Sequence, residues 1–228
     1  MKDYPETIEG RWDILYRDYP EIYDAFSSFP YHPDPIDLIL TKVSLGGATV
    51  LDIGSGTGRS SFWLAEHARQ VIGVEPEASM RAVGERMAAA LGVQNVRFVE
   101  GDGAAIPLAD ESVDAIFSIT AGMQSLEELL RVLRPGGMIV ALDVAPGGYG
   151  GELNDVIGEE TEAEDHSRHL VDDLGFSYED FENVQEYGTT QNILRTYGFI
   201  HGRKAIEHLK RTGQTSIRWR WRIHYRNK

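Results

Sequence analysis

The stretch VLDIGSGTGRSS at residues 50–61 carries the first chemistry in the chain, a β-branched run that breaks into glycines and continues as a helix. Gly54, Gly56 and Gly58 stand at alternate positions, where they let the backbone turn tightly and approach a ligand more closely than side chains permit. A nucleotide-type ligand belongs at such a loop. The dinucleotide fingerprint Gly-x-Gly-x-x-Gly wants glycine where Arg59 stands, so the loop is Gly-x-Gly-x-Gly and NAD is the weaker reading. Glu75 closes the run VIGVEP, near the roughly 20-residue offset at which a strand-end acid accepts hydrogen bonds from ribose hydroxyls. Asp102, in VEGDGAAIPL, stands at the next strand end, where a short carboxylate can accept from an exocyclic amine beside the amides of Gly103 and Ala104. Taken singly, a glycine can merely shape a turn and an aspartate can merely cap a helix. Three strand ends in order point instead to one crevice at the carboxyl edge of an open sheet.

The elements that must position these residues alternate regularly. The runs ATVLDI, QVIGVE, NVRFVE, VDAIFSI and GMIVALD are separated by helix-length segments, which predicts parallel strands buried on both faces, the α/β doubly wound class. Residues 59–68 and 78–91 have helical composition, and Ser125 opens a helix with Glu128 at capping-box spacing. Pro135, Gly136 and Gly137 end that helix and turn the chain into the fifth strand. Upstream, Asp34 and Pro35 read as the cap and first residue of the helix DPIDLILTKVSL, ended by Gly46 and Gly47. Trp12, Tyr16, Tyr19 and Tyr23 recur at helical spacing, with Pro20 restarting the helix. They form either a stripe packed on the core or a lid over a ligand.

After the fifth strand, APGGYGG is a turn and residues 159–165 are an acidic run, which reads as a solvated face leading into the helix HSRHLVDDLGF. The strand FSYEDFENVQEY, one inserted helix over about 189–212 and the strand TSIRWRWRIHY follow. In the last strand Trp219, Trp221, Ile223 and Tyr225 alternate with Arg218, Arg220, Arg222 and His224, giving one buried and one polar face. The arginine face either pairs with the acidic body or receives a polyanion such as RNA.

Composition bounds what such a site can do. The 228 residues, 42% hydrophobic and 25% charged, suit one domain with a complete core and exclude disordered and fibrous classes. With no cysteine, thiolate nucleophiles and Cys-ligated metal sites are excluded, and a reducing compartment fits. A net charge of −14 repels phosphate backbones, although no acidic residue follows Glu207 and the tail is basic. No apolar run approaches a membrane span, and MKDYPETIEG lacks the flank and apolar stretch of a secretory signal, so a cytoplasmic protein is expected.

Together these motifs resemble the class I S-adenosylmethionine (SAM)-dependent methyltransferases, in the small-molecule branch similar to the ubiquinone and menaquinone biosynthesis enzymes. VLDIGSGTG is similar to the family's first motif, VIGVEPEASM to its second, FVEGDGAAIPLADESVDAIFS to its third and fourth, and RVLRPGGMIVALD to the next. The resemblance covers residues 48–143, and the strand, helix, strand order after Gly175 matches the family's antiparallel final hairpin. It implies a Rossmann-like seven-stranded sheet, mostly parallel with an antiparallel C-terminal strand and helices on both faces. It implies a SAM-binding domain over 48–228 with S-adenosylhomocysteine as product, and residues 1–47 are expected as a helical lid or cap on it. By the same resemblance Gly54, Ser55 and Gly56 hold the methionine part, Glu75 binds the ribose, and Met80 or Pro76 packs near the adenine. Asp102, Gly103 and Ala104 read the adenine edge, Ile119 completes the set, and Asp52 orders the loop.

Methyl transfer from a sulfonium needs mainly proximity and orientation, so a general base is optional. For an oxygen acceptor the candidates are Tyr16, His166, His169, Tyr187 and His201. The fourth strand ends SITAGM, unlike the Asn/Asp-Pro-Pro-aromatic motif of adenine or glutamine methyltransferases, which disfavours nucleic-acid bases. No spacing demands a metal, and Asp143 alone keeps a divalent ion open. The expectation is a methyltransferase for O, N or C of a small molecule, as a monomer or homodimer. The alternatives are a protein or RNA methyltransferase, an oxidoreductase, and a non-catalytic domain that holds a partner.

Overall fold

The computed structural model describes residues 5–158 and 163–228; residues 159–162 of the expected acidic run lie outside them. In chain order the elements are α1 (Trp12–Asp18), α2 (Pro20–Ser27), β1 (Tyr31–His32), α3 (Pro35–Leu40), β2 (Thr49–Ile53), α4 (Arg59–His67), β3 (Gln70–Val74), α5 (Ala78–Leu91), β4 (Val96–Val99) and β5 (Val113–Ile119). Then come α6 (Leu126–Val132), β6 (Leu133–Val144), α7 (Asn154–Ile157), α8 (Ala163–Arg168) with a π-helical turn at His169–Asp173, and β7 (Ser177–Glu186). The chain ends with α9 (Thr190–Ile193), a π-helical turn at Leu194–Gly198, α10 (Phe199–His201), α11 (Arg203–Thr212) and β8 (Ser216–Asn227).

All eight strands form one sheet in the order β1-β7-β8-β6-β5-β2-β3-β4. The strands β4, β3, β2, β5 and β6 run parallel, and β8 lies antiparallel between β6 and β7. The expected count of seven is corrected by β1, whose two residues pair antiparallel with β7 and cover its outer edge. A two-residue strand has no periodicity to read. Alternation through the sheet sends Val50, Val71, Phe117 and Val140 to one core and Leu51, Ile72, Ile116 and Ile139 to the other, so both faces are covered.

Local signals hold where the reason is local. Pro20 opens α2 at a position that needs no N–H, and the Asp34 side chain accepts from the Ile36 amide at 3.1 Å to cap α3. That helix stops at Leu40, well short of the expected Leu45. Ser125 caps α6 by accepting from the Glu128 amide, but the Glu128 carboxylate turns away to Ile106 N and Arg131. The single helix expected over 189–212 is broken at Gly202, whose φ is +98°. A Cβ there would lie 2.3 Å from Glu9 Oε2, so the N-terminal segment fixes the break.

Two of the three arginines on the polar face of β8 pair with the acidic body, while Arg218 lies opposite Val184. Arg222 donates to both Asp180 oxygens at 2.6 and 2.8 Å and lies over the Tyr178 ring, while Arg220 stands 4.0 Å from Glu182. These acids lie directly across on β7, where cross-strand opposite charges neutralise one another. His224, expected on the polar face, is buried because the Ser167 hydroxyl packs on it at 2.9 Å.

The other face of β8 depends on two amides of β7. Gln185 Oε1 accepts from Trp219 Nε1 at 3.1 Å and from the Tyr187 hydroxyl at 2.7 Å, while its Nε2 donates to Phe26 O. Asn183 Oδ1 accepts from Trp221 Nε1 at 2.8 Å and its Nδ2 donates to Pro33 O. Gln185→Leu leaves an indole N–H, a hydroxyl and a carbonyl unpaired in the core, and should lower the unfolding free energy in urea by about 2–4 kcal/mol.

Candidate functional site

The carboxyl ends of β2, β5 and β6 open into a cavity of about 520 Å³. Its floor is the glycine loop, where Gly54, Gly56 and Gly58 have φ of +65°, +56° and +90°. At two of them a side chain has no room: a Cβ on Gly54 would meet Ala121 Cβ at 2.3 Å, and one on Gly58 would meet Phe98 Cζ at 2.6 Å. Buried Asp52 holds the start of α4 by accepting from the Ser60 and Ser61 hydroxyls at 2.7 and 2.6 Å, and burial pushes its carboxyl up to about 6. Glu75 ties the loop to β3, its carboxylate accepting from the Gly56 and Glu77 amides, each at 2.9 Å. Burial raises its pKa while those two bonds oppose the rise.

The remaining sequence candidates follow the ends of β3, β4 and β5, and of them only Ile119 lines the cavity. Met80 is buried, and its Cε would lie 3.3 Å from a Cβ on Gly56. Asp102 is exposed, with Oδ1 accepting from Ala104 N at 2.9 Å and Ala105 N at 3.1 Å. Gly103 is buried beside Gln124, Pro76 is exposed, and Ile119 lines the cavity.

Aromatic side chains build the walls. Trp12, Tyr16 and Tyr23 come from α1 and α2, and Trp219 and Trp221 from β8. Tyr19 departs from the expected stripe and packs on Phe199, with ring centroids 5.3 Å apart. The Trp12 indole donates to the Tyr149 hydroxyl at 2.6 Å, which joins the N-terminal helices to the GGYGG loop.

The five candidate bases separate by place. Tyr16, His166 and His201 line the cavity. His169 is exposed and paired with Asp173 at 2.7 Å, and Tyr187 is buried on Gln185, so neither reaches it. Burial raises the Tyr16 pKa and lowers that of His166, which the neighbouring His169 lowers further. His201 is enclosed by aromatic rings, with Tyr197 centred 4.3 Å away and Tyr149 at 5.6 Å, and burial brings its pKa down to about 3.

Sequence reasoning missed several wall residues. Tyr31 carries Arg59 over its ring at 5.0 Å, and burial pushes its hydroxyl up to about 12 against the effect of that cation. Thr120 is a β-branched residue at φ +56°, a strained conformation that its sequence context does not signal and that clusters at functional sites. Ser167 and His224 complete the far wall. Among the described residues, every buried side-chain polar atom without a hydrogen-bond partner, save Asp52 Oδ1, belongs to a residue lining this cavity. They are Ser55 Oγ, Thr57 Oγ1, Asp143 Oδ2, His166 Nε2, His224 Nδ1 and both ring nitrogens of His201. Buried polar groups are normally satisfied, so these atoms call for hydrogen-bonding partners inside the cavity. Among the described residues no cluster of three or more His, Asp or Glu side chains could hold a metal ion.

The His201 environment has a pH signature. Its folded pKa of about 3 lies below the unfolded value of 6.5, so the unfolded chain binds the extra proton and stability falls as pH drops through that window. Between pH 7 and pH 5 this residue accounts for a loss of about 2 kcal/mol. Urea unfolding at the two pH values should show a correspondingly smaller loss in His201→Phe.

A family model described as a methyltransferase domain matches residues 50–137. A demethylmenaquinone methyltransferase of Thermus thermophilus is 36% identical over 148 residues, which cover 61% of this chain and 63% of that protein. The chain thus spans less than two thirds of the length of the curated relatives it matches first. Among solved structures, the YcgJ protein of Bacillus subtilis superposes with a TM-score of 0.63 at 19% identity, covering 85% of this chain and 98% of the other. The [4+2]-cyclase SpnF superposes with a TM-score of 0.58 at 21% identity, covering 85% and 80%. A shared fold therefore does not by itself state the reaction. The glycine loop with its two acidic strand ends, the sheet order and the matched domain agree: residues 50–137 match a methyltransferase domain, and the chain is similar to demethylmenaquinone methyltransferases over part of its length.

Proposed function

We propose that the protein transfers the methyl group of SAM to O, N or C of a small, largely planar acceptor held in the aromatic cavity. The observation that carries this reading is the run of unpartnered buried polar atoms in one cavity that starts at the glycine loop. SAM suits the residues present: Ser55 Oγ and Thr57 Oγ1 are orphaned beside a backbone kept bare by Gly54 and Gly58. When bound, SAM supplies a methyl group already activated on sulfur.

In this reading Gly54, Ser55 and Gly56 hold the methionine part and Glu75 receives the ribose hydroxyls. Asp102, Gly103 and Ala104 read the adenine edge, flanked by Pro76, Met80 and Ile119. Asp52 acts through Ser60 and Ser61 to keep the loop in register. Residues 1–47 cap the cavity with Trp12, Tyr16 and Tyr23, which exclude water and align the acceptor with the methyl carbon. The apolar walls and the relative named for a menaquinone precursor support a small-molecule acceptor. An RNA or protein acceptor is less well supported, because Arg220 and Arg222 already face acids on β7. No helix of the described residues is long and apolar enough to cross a membrane. A cytoplasmic monomer or homodimer belongs to the same proposal.

Calorimetric titration with S-adenosylhomocysteine, SAM and NADH decides the cofactor. Micromolar binding of the two sulfur compounds, weakened at least tenfold in Glu75→Ala and in Asp102→Ala, is expected. Preference for NADH, or no binding, rejects the proposal.

A further inference from the structure

The cavity has a second polar end, outside the residues matched by the family model. Asp143, on the last turn of β6 into the cavity, and His166, on α8, present Oδ2 and Nε2 to each other at 3.9 Å. Both atoms are buried and neither has a hydrogen-bond partner among the described residues. An oxygen set beside the pair lies within hydrogen-bond reach of both atoms, and a hydroxyl there donates its one proton to Nε2 when the imidazole carries its own proton on Nδ1. Behind them Arg222 Nη1 donates to Ser167 Oγ at 2.9 Å, which leaves the Ser167 proton for His224 Nε2, also at 2.9 Å. The imidazole proton of His224 then resides on Nδ1, a buried donor without a partner among the described residues. One end of an aromatic cavity thus offers two acceptors and one donor.

We propose, building on the methyltransferase reading, that Asp143, His166 and His224 form the acceptor-binding end of the cavity and take a phenolic or enolic hydroxyl whose proton passes to His166 Nε2. The O–H bond breaks, the proton moves to Nε2, and the electron pair stays on the acceptor oxygen. That pair forms the bond to the methyl carbon as the carbon–sulfur bond breaks and leaves its electrons on sulfur. The imidazolium so formed faces the Asp143 carboxylate, then returns its proton to solvent. Burial supports the assignment of the hydroxyl class. It holds His166 neutral, and a base weaker than free imidazole suits an acidic hydroxyl and not an ammonium group. The groups that face His166 are Asp143 from β6, His169 from its own helical segment, and His224 from β8, with Arg222 behind Ser167. Burial lifts Asp143 to about 6, so its carboxylate is charged above that pH and the pair is competent there.

The chromogenic phenol 4-nitrophenol tests the site without SAM, because its anion absorbs where the neutral phenol does not. At a pH below its solution midpoint, wild-type protein should bind it as the anion. His166→Gln and Asp143→Asn should each reduce that anion signal at least fivefold. No anion signal with wild type, or a signal in either variant that equals the wild type's, overturns the proposal. S-adenosylhomocysteine binding on the same preparations shows that the variants are folded. It also separates the two readings: a silent phenol with retained binding sinks only this proposal, whereas lost binding in the wild type sinks the methyltransferase reading.

Discussion

Two indole N–H groups buried at the sheet face govern how this molecule encloses a cavity. Trp219 and Trp221 supply large apolar area, but each carries a donor that cannot be left unpaired. Gln185 and Asn183 on β7 answer both donors and spend their own N–H groups on Phe26 O and Pro33 O. The pairing that buries the tryptophans is therefore the pairing that pins the N-terminal segment to the far edge of the sheet. β1 seals the same edge, and the amides of Ile8 and Gly10 bond to Phe199 O and Ile200 O. The segment before the sheet is an integral wall, with its aromatics turned toward the glycine loop.

The cavity so enclosed has two chemically different ends. At the loop end, backbone geometry and two carboxylates do the work, and both carboxylates are already held by hydrogen bonds within the protein. At the other end the polar groups come from β6, α8 and β8, with their reactive atoms unspent. Between them burial keeps His201, His166 and His224 neutral. Low dielectric disfavours charge unless a partner is supplied, which is why these imidazoles hold protons less readily than free histidine.

Several readings of the sequence hold because their cause is local. The helices α4 and α5, the cap at Asp34, the restart at Pro20 and the five parallel strands follow from periodicity, side-chain capping and turn chemistry within a few residues. The failures share a different cause. The capping box at Ser125 is half made because Glu128 finds a stronger partner in Arg131, and the long helix breaks at Gly202, whose positive φ leaves the helical backbone and beside which Glu9, distant in sequence, leaves no room for a side chain. His224 is buried, against its place in the alternation, because α8 folds over that part of β8.

What the sequence by itself determined is the proposed cofactor end of the protein: the glycine loop, Glu75 and Asp102 fall at fixed offsets from strands that declare themselves by composition. Such a site is made of consecutive backbone, so its information lies within the segments that form it. Only the tertiary structure decided the rest of the pocket. Asp143, His166 and His224 lie on three separate elements with no characteristic spacing, and Thr120 and Tyr31 gain their roles from what packs around them. Of the five residues whose chemistry suited a base, the fold kept three at the cavity and sent His169 to the surface and Tyr187 into the core. Side-chain type states what a residue can do, but burial and distance, which arise between elements remote in sequence, decide whether it does so.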